Sequence, residues 1–311
     1  MSSIVKLAGV FLLVIVIAAG VVAVDFLRHN GQFRTLTPHF AGHCQTLDMG
    51  ASAADLRLDR AHRLAYLSYL DRRATSDGRS GFGSVMLVDL DAPAPRPRAA
   101  VANDPPGFRP AGLSLFTAAG GPQRLFVISR RPLEASGTEH SVEILEQGSA
   151  GGFRPLRTIH DPLLVSPHSI LAVGADEFYV ANDSGADGAL GRAIETLFSR
   201  RLASVTYFDG KSMRVVLDGI AAATGLAASP DGSRVYLGEG LLNRVNVYAR
   251  DPSSGALTLE RRVELPGAPA GIDVDAGGEL WVAVNPQPVA LIRHLSDPRK
   301  LAPTELSLIH I

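Results

Sequence analysis

At 311 residues, with 46% hydrophobic and 20% charged content, the chain is long enough for one large globular domain with a substantial core. Its 30 basic and 31 acidic residues nearly cancel, and no Lys/Arg-rich segment interleaved with aromatics occurs, which argues against a nucleic-acid partner.

The first element is an uninterrupted apolar run of 18 residues, Leu7 to Val24, preceded by Lys6 and followed by Asp25, Arg28 and His29. A run of that length just spans a bilayer and exceeds a usual signal-peptide core, so residues 1–29 are read as an uncleaved signal anchor. Val21-Val22-Ala23 offers a cleavage site, in which case the protein is secreted. Both versions place the domain on the extracytoplasmic side, and the membrane is a partner through this helix. The charge asymmetry around the run is thin, with one Lys before it and Arg28 and Arg34 after it.

Residues 30–50 then read as a linker. It contains the sole cysteine, Cys44, which in an exported protein is either a free thiol or a residue whose partner is missing.

From residue 51 onward the pattern is β. The clearest stretch is Thr224–Leu259, where three short β-rich runs are separated by Pro230-Asp231-Gly232 and Asp251-Pro252-Ser253-Ser254-Gly255, both tight-turn clusters. Its opening, a small-residue pair leading into an apolar run, recurs at Ala54-Asp55-Leu56, Ala111-Gly112-Leu113, His168-Ser169-Ile170, Thr224-Gly225-Leu226 and Ala270-Gly271-Ile272. The spacing of 46 to 57 residues is that of propeller blades.

Five blades are expected. Blade one runs from Ala54 through Leu67 to Ser84–Leu90 and closes in the Pro/Ala-rich loop Asp91–Pro97. Blade two holds Gly112–Phe116, Leu125–Ser129 and Ser141–Glu146, and blade three opens at Ser169 and holds Phe178–Asn182. Between them and blade four, Leu190 to Leu202 carries Ile194, Leu197, Phe198 and Leu202 at helical spacing. That segment is read as a helix packed on the top surface, with a substrate lid or a membrane contact as the functional alternative. Blade five runs from Gly271 to Arg293. The tail Leu301–Ile311 shows no turn-punctuated strand, so the propeller is expected to be incomplete at its C-terminus.

Innermost strands line a propeller's channel, so Ala54, Ala111, His168, Thr224 and Ala270 are expected to converge on one axis. His168 is the one of them with acid–base chemistry. As a general base it needs a water or nucleophile and an orienting acid, and Ser169, Ser114, Asp183 and Glu239 are the nominees. No Gly-x-Ser-x-Gly elbow supports a serine hydrolase. The bland alternative is a histidine satisfied by hydrogen bonds.

Ser166–Asp183 and Thr224–Tyr248 resemble the arylesterase family, the paraoxonase-like lactonases within the gluconolactonase-type propellers. The resemblance extends from Phe33 to about Pro298 and includes the Gly31–Leu36 stretch, Phe108–Ser114, Leu125–Ser129 and Asp273-Val274-Asp275. It implies an all-β, six-bladed propeller, of which about five blades are present here, with calcium in the channel and hydrolysis of carboxylic esters and lactones.

The chemistry of that family depends on channel positions that this chain has exchanged. The family's Glu before Asp is Ala54, its Asn-Asp before Ile is His168-Ser169, its Asn before Gly-Ile is Thr224, and its Asp-Asn in blade five is Ala270-Gly271. Its His before Gly-Ile-Ser is Ala111, its Asn-His after the second-blade strand is Ser129-Arg130, and a further His is Ser184. Asp55 alone persists, at the family's structural calcium site.

Calcium needs six to eight oxygen ligands, several of them carboxylates, so no cofactor is expected. The resulting expectation is a membrane-anchored pseudoenzyme or ligand-binding propeller, with Ala54, Ala111, His168, Ser169, Thr224 and Ala270 lining a site for a small apolar, ester-like or lactone ligand. Two alternatives stand beside it: an ester or lactone hydrolase working from His168, and a protein-interaction propeller.

Overall fold

The structure, a computed structural model, describes residues 2–40, 42–47, 49–50, 52–71, 83–118, 120–133, 137–148, 151–297 and 299–310. After the helix α1 (Ser2–His29), nineteen strands form five antiparallel meanders. Blade one is β1 (Ser52–Asp59), β2 (Leu64–Leu70), β3 (Gly83–Asp89) and β4 (Arg98–Ala99). Blade two is β5 (Pro110–Thr117), β6 (Gln123–Pro132), β7 (Thr138–Gln147) and β8 (Phe153–Ile159).

Blade three is β9 (Pro167–Ala172), β10 (Glu177–Asn182), β11 (Ala203–Asp209) and β12 (Met213–Ile220), with the helix α2 (Gly188–Leu197) inserted after β10. Blade four is β13 (Ala223–Ala228), β14 (Arg234–Glu239), β15 (Arg244–Arg250) and β16 (Leu257–Glu264). Blade five is β17 (Ala268–Val274), β18 (Leu280–Asn285) and β19 (Glu305–Ile309), with the helix α3 (Pro288–Ser296) between β18 and β19.

Alternation along the middle strands builds the core. Leu125 and Val127 of β6 point toward blade one and join Tyr66, Val85 and Leu87, whereas Phe126 and Ile128 point the other way and join Ile170, Phe178 and Val180 of blade three. The same two-sided burial continues through Tyr179 and Tyr207 against Leu226 and Leu237, and through Tyr236 and Val247 against Ile272 and Val282. Strands with both faces covered read as near-continuous apolar runs, which is why these segments stand out in the sequence. Between blades five and one no shared apolar cluster occurs among the described residues. The contact there is an ion pair in which Arg60 Nη2 donates to Asp273 Oδ2 at 2.7 Å.

Two expectations about the last hundred residues need correction. The segment Pro288–Ser296, read as part of blade five, is a helix, opened by a proline that fits a first turn where no N–H partner is needed. The tail does contain a strand: Glu305–Ile309 pairs antiparallel with β18, and Ile309 packs on the blade-five core. Its polar–apolar alternation is a two-residue period, masked in the sequence by the absence of a flanking turn cluster. Ile311 lies outside the described residues.

The helix expected over Leu190–Leu202 is present but ends at Leu197, and its burial is inverted. Glu195 is its buried residue, taking a hydrogen bond from Ser184 Oγ, while Leu190, Ile194, Leu197 and Phe198 are exposed.

Candidate functional site

The small-residue pair that marks each repeat is a β-bulge. Between Ala53 and Leu56, Pro110 and Leu113, Pro167 and Ser169, Ala223 and Gly225, and Pro269 and Ile272, the inner strand carries one residue more than its neighbour. A bulge leaves its extra residue out of the ladder and re-aims the side chain. In blade one, the freed N–H groups of Ala54 and Asp55 both find Ser68 Oγ, at 3.2 and 2.8 Å.

From these bulges a series of links passes around the channel. Leu113 N donates to Asp55 Oδ2 (2.8 Å), Ala172 N to Ser114 Oγ (2.9 Å) and Leu226 N to Ser169 Oγ (3.1 Å), each joining one blade to the next. His168 Nδ1 donates to the Thr224 carbonyl (2.8 Å), and Thr224 Oγ1 donates to the Pro269 carbonyl (2.7 Å). Gly112 has to be glycine for this geometry, because a Cβ there would stand 2.7 Å from the His168 carbonyl oxygen.

His168, Thr224 and Ala270 share a cavity of about 220 Å³ at the upper mouth. Sequence reasoning missed most of its other walls. Phe26 and Asn30 come from the end of α1, Thr196 from α2, and Pro288, Val289 and Ile292 from α3. Ala54 and Ala111 sit at the bulges of β1 and β5 but do not line this cavity, and Ser169 is buried, holding Leu226.

The end of α1 is fastened over that mouth. His29 Nε2 lies 2.9 Å from the Leu241 carbonyl, Asn243 Nδ2 donates to the His29 carbonyl (3.0 Å), and Gln287 Nε2 donates to the Gly31 and Arg34 carbonyls (3.1 Å each). Gly31, at φ +64°, turns the chain there, and a Cβ on it would collide with the Pro286 carbonyl.

Each of the four nominated partners of His168 makes a hydrogen bond elsewhere. Ser169 and Ser114 hold the neighbouring blades. Asp183 accepts from Ser166 Oγ and its own N–H binds the Ser166 carbonyl. Glu239 takes the Ala221 N–H, Arg244 and Asn246. With Nδ1 donating to the Thr224 carbonyl, His168 is the Nδ1–H tautomer, and Nε2 is left as an acceptor without a hydrogen-bond partner among the described residues.

Burial pushes the His168 pKa below its ordinary value. Asp183 opposes that shift and Arg130 reinforces it. Arg130, which in the sequence stands only as the replacement of a family His, clamps the neighbouring Pro167 carbonyl through Nε at 2.8 Å. His140, bonded to the Leu164 carbonyl at 2.8 Å, is likewise lowered, chiefly by burial.

An acid-sensitive stability follows. Both imidazoles hold fewer protons folded than unfolded, so their stability is intact above the ordinary pKa of 6.5 and is lost as pH falls below it. The melting temperature should drop between pH 7.5 and 5, and His168→Asn, whose amide can still donate to Thr224, should flatten that slope. An unchanged slope would remove His168 from the account.

The donor set does not fit the calcium that the resemblance implies. Asp55 is the one carboxylate on the bulge line, and its oxygens are already taken by the Leu113 and Leu56 N–H groups and by Arg57 Nη1. Among the described residues no group of three or more His, Cys, Asp or Glu could hold a metal ion.

A five-bladed meander array with a channel open at two mouths defines a β-propeller built to present loop and bulge residues at its axis. The arylesterase family model matches residues 75–309, and the chain belongs to that family. It is 30% identical over 221 residues to serum paraoxonase/arylesterase 1 of Rattus norvegicus, covering 69% of this chain and 61% of that protein. It is 28% identical over 209 residues to serum paraoxonase/arylesterase 2 of the same species, covering 66% and 57%. The chain thus spans about three-fifths of the length of these curated relatives. Among solved structures, the periplasmic gluconolactonase of Pseudomonas aeruginosa is 17% identical with a TM-score of 0.46, covering 73% of this chain and 63% of that one.

Proposed function

We propose that this chain is a membrane-facing arylesterase-family propeller whose upper cavity binds a small apolar ester or lactone without calcium-dependent hydrolysis. The observation that carries the reading is the cavity itself. Its walls are mostly apolar, it offers His168 Nε2 and Thr224 as polar groups, and its roof is the end of an apolar helix. At about 220 Å³ it is smaller than the roughly 300–1,000 Å³ of drug-sized pockets, so the ligand is small.

Orientation supports the membrane half of the proposal. Val5–His29 is long and apolar enough to cross a bilayer, and its end is stitched to blades four and five at the upper mouth. On the same side α2 exposes Leu190 and Phe198, and α3 exposes Ile292 and Leu295. Apolar side chains displayed next to a spanning helix suit the lipid surface. A ligand dissolved in the bilayer would then reach the cavity without crossing water.

A second reading has its own support. A neutral imidazole with Nε2 free can take a proton from water as that water attacks an ester carbonyl, which would make this a hydrolase working from His168.

Both readings meet one test on the full chain in detergent, with 2-naphthyl acetate and a γ-lactone as probes. The first expects saturable binding, lost in Ala270→Phe, and no turnover above buffer. The second expects turnover that EDTA leaves intact and that His168→Asn lowers by about 10²-fold or more. Turnover abolished by EDTA would overturn both.

A further inference from the structure

Between the upper cavity and a second cavity of about 340 Å³ at the lower mouth, β1 carries a carboxylate and a guanidinium two residues apart. Arg57 Nη1 donates to Asp55 Oδ1 at 2.9 Å and to the Leu56 carbonyl at 2.9 Å, and Arg57 reaches into the lower cavity. Asp55 also accepts the Leu56 N–H on Oδ1 and, on Oδ2, the Leu113 N–H of blade two.

The pair is largely enclosed, with 18% of the Asp55 side chain and 15% of the Arg57 side chain exposed. A carboxylate so enclosed is costly without a counter-charge. The comparable links around the channel, through Ser114, Ser169 and Thr224, are neutral. The one charged link in the series is therefore the one with a guanidinium against it.

We infer that Arg57 is the resident cation of this channel. Its guanidinium takes up the charge of Asp55 that a dication would otherwise neutralise, and blade one holds blade two without a metal. Removing that guanidinium leaves the Asp55 carboxylate enclosed without a counter-charge, while that carboxylate, still held by the Leu56 and Leu113 N–H groups, and the Leu56 carbonyl fall short of the six to eight oxygen donors that calcium needs. This holds whatever occupies the upper cavity, so its failure and that of the ligand reading are separate results.

The test is thermal melting of the full chain in detergent, in EDTA and in millimolar calcium. Wild type is expected to melt at the same temperature in both. Arg57→Met, which keeps bulk and removes charge, is expected to melt about 5–10 °C lower, in EDTA and in calcium alike. The double variant D55N/R57M, with both charges gone, should regain much of that loss. Should Arg57→Met fail to fold, Arg57→Lys keeps the charge and is expected to stay indifferent to calcium. A wild type that gains several degrees in calcium overturns the inference. So does an Arg57→Met variant that melts with wild type, a double variant D55N/R57M that is no more stable than Arg57→Met, or an Arg57→Lys variant that responds to calcium.

Discussion

Arg244→Ala is expected to cost about 3–5 kcal/mol, because it leaves the buried carboxylate of Glu239 without its counter-charge. Glu239 is 1% exposed and ends β14. Its Oε2 accepts from Arg244 Nε at 2.6 Å and from Asn246 Nδ2 at 3.0 Å, and its Oε1 accepts from the Ala221 N–H at 3.0 Å. Burial alone would raise the Glu239 pKa, but these three donors outweigh it and the net shift is downward. The stability it supplies is present above the ordinary value of 4.5 and lost as pH falls through the lowered one.

The position matters for the site as well as for the fold. Through Ala221, Glu239 fixes the entrance to β13, whose Ala222 and Thr224 form one wall of the upper cavity. Arg244→Ala should therefore lower the melting temperature by roughly 10 °C and weaken ligand binding in the same preparation. The paired replacement Glu239→Gln with Arg244→Met removes both charges and should restore much of the loss, since an uncharged pair leaves nothing to neutralise. Equal damage from the single and double variants would show that packing, not charge, carries this corner.

The other large effect belongs to the seam between blades two and three. Phe178 is fully buried and stacks on Phe208 with ring centroids 5.1 Å apart, and it meets Phe126 of blade two at 5.7 Å. Truncation to alanine removes a ring from a packed interior and leaves a cavity, so Phe178→Ala should cost about 3–5 kcal/mol in equilibrium denaturation. Phe178→Leu should cost well under half of that. A loss below about 1 kcal/mol for the alanine variant would mean that the two blades are joined elsewhere.

How much of this was legible depends on which physical signal each element leaves. Strands buried on both faces write long apolar runs, and tight turns write Pro-Asp-Gly and Ser-Ser-Gly, so blades two, three and four were visible at Leu125–Ser129, Phe178–Asn182 and Arg234–Leu237. The repeat register was visible too, because small residues recur where the inner strands bulge. The meaning of that register was not, since a bulge is a relation between two strands and no single strand encodes it.

Long-range contacts were hidden for the same reason. Phe26 and Asn30 lie about 140 residues before His168 in sequence yet share its cavity. The exposed apolar face of α2 was misread as a packing face because periodicity reports that a stripe exists, not what covers it. Glu195, placed on the same helix, is the residue that turned inward, held by Ser184.

The bulges also bear on how such a channel can change over generations. At residues 54, 111, 168, 224 and 270 the side chain is released from ladder pairing, and the sheets close on either side regardless of what stands there. Substitution at those points leaves the strand register alone, although His168 and Thr224 also link neighbouring blades and Ala111 packs on the seam between blades two and three. A lineage can therefore exchange its axial chemistry one blade at a time while the strand register is kept, and the turns and strands of this chain can stay recognisable as an arylesterase propeller after the residues at its axis have been rewritten.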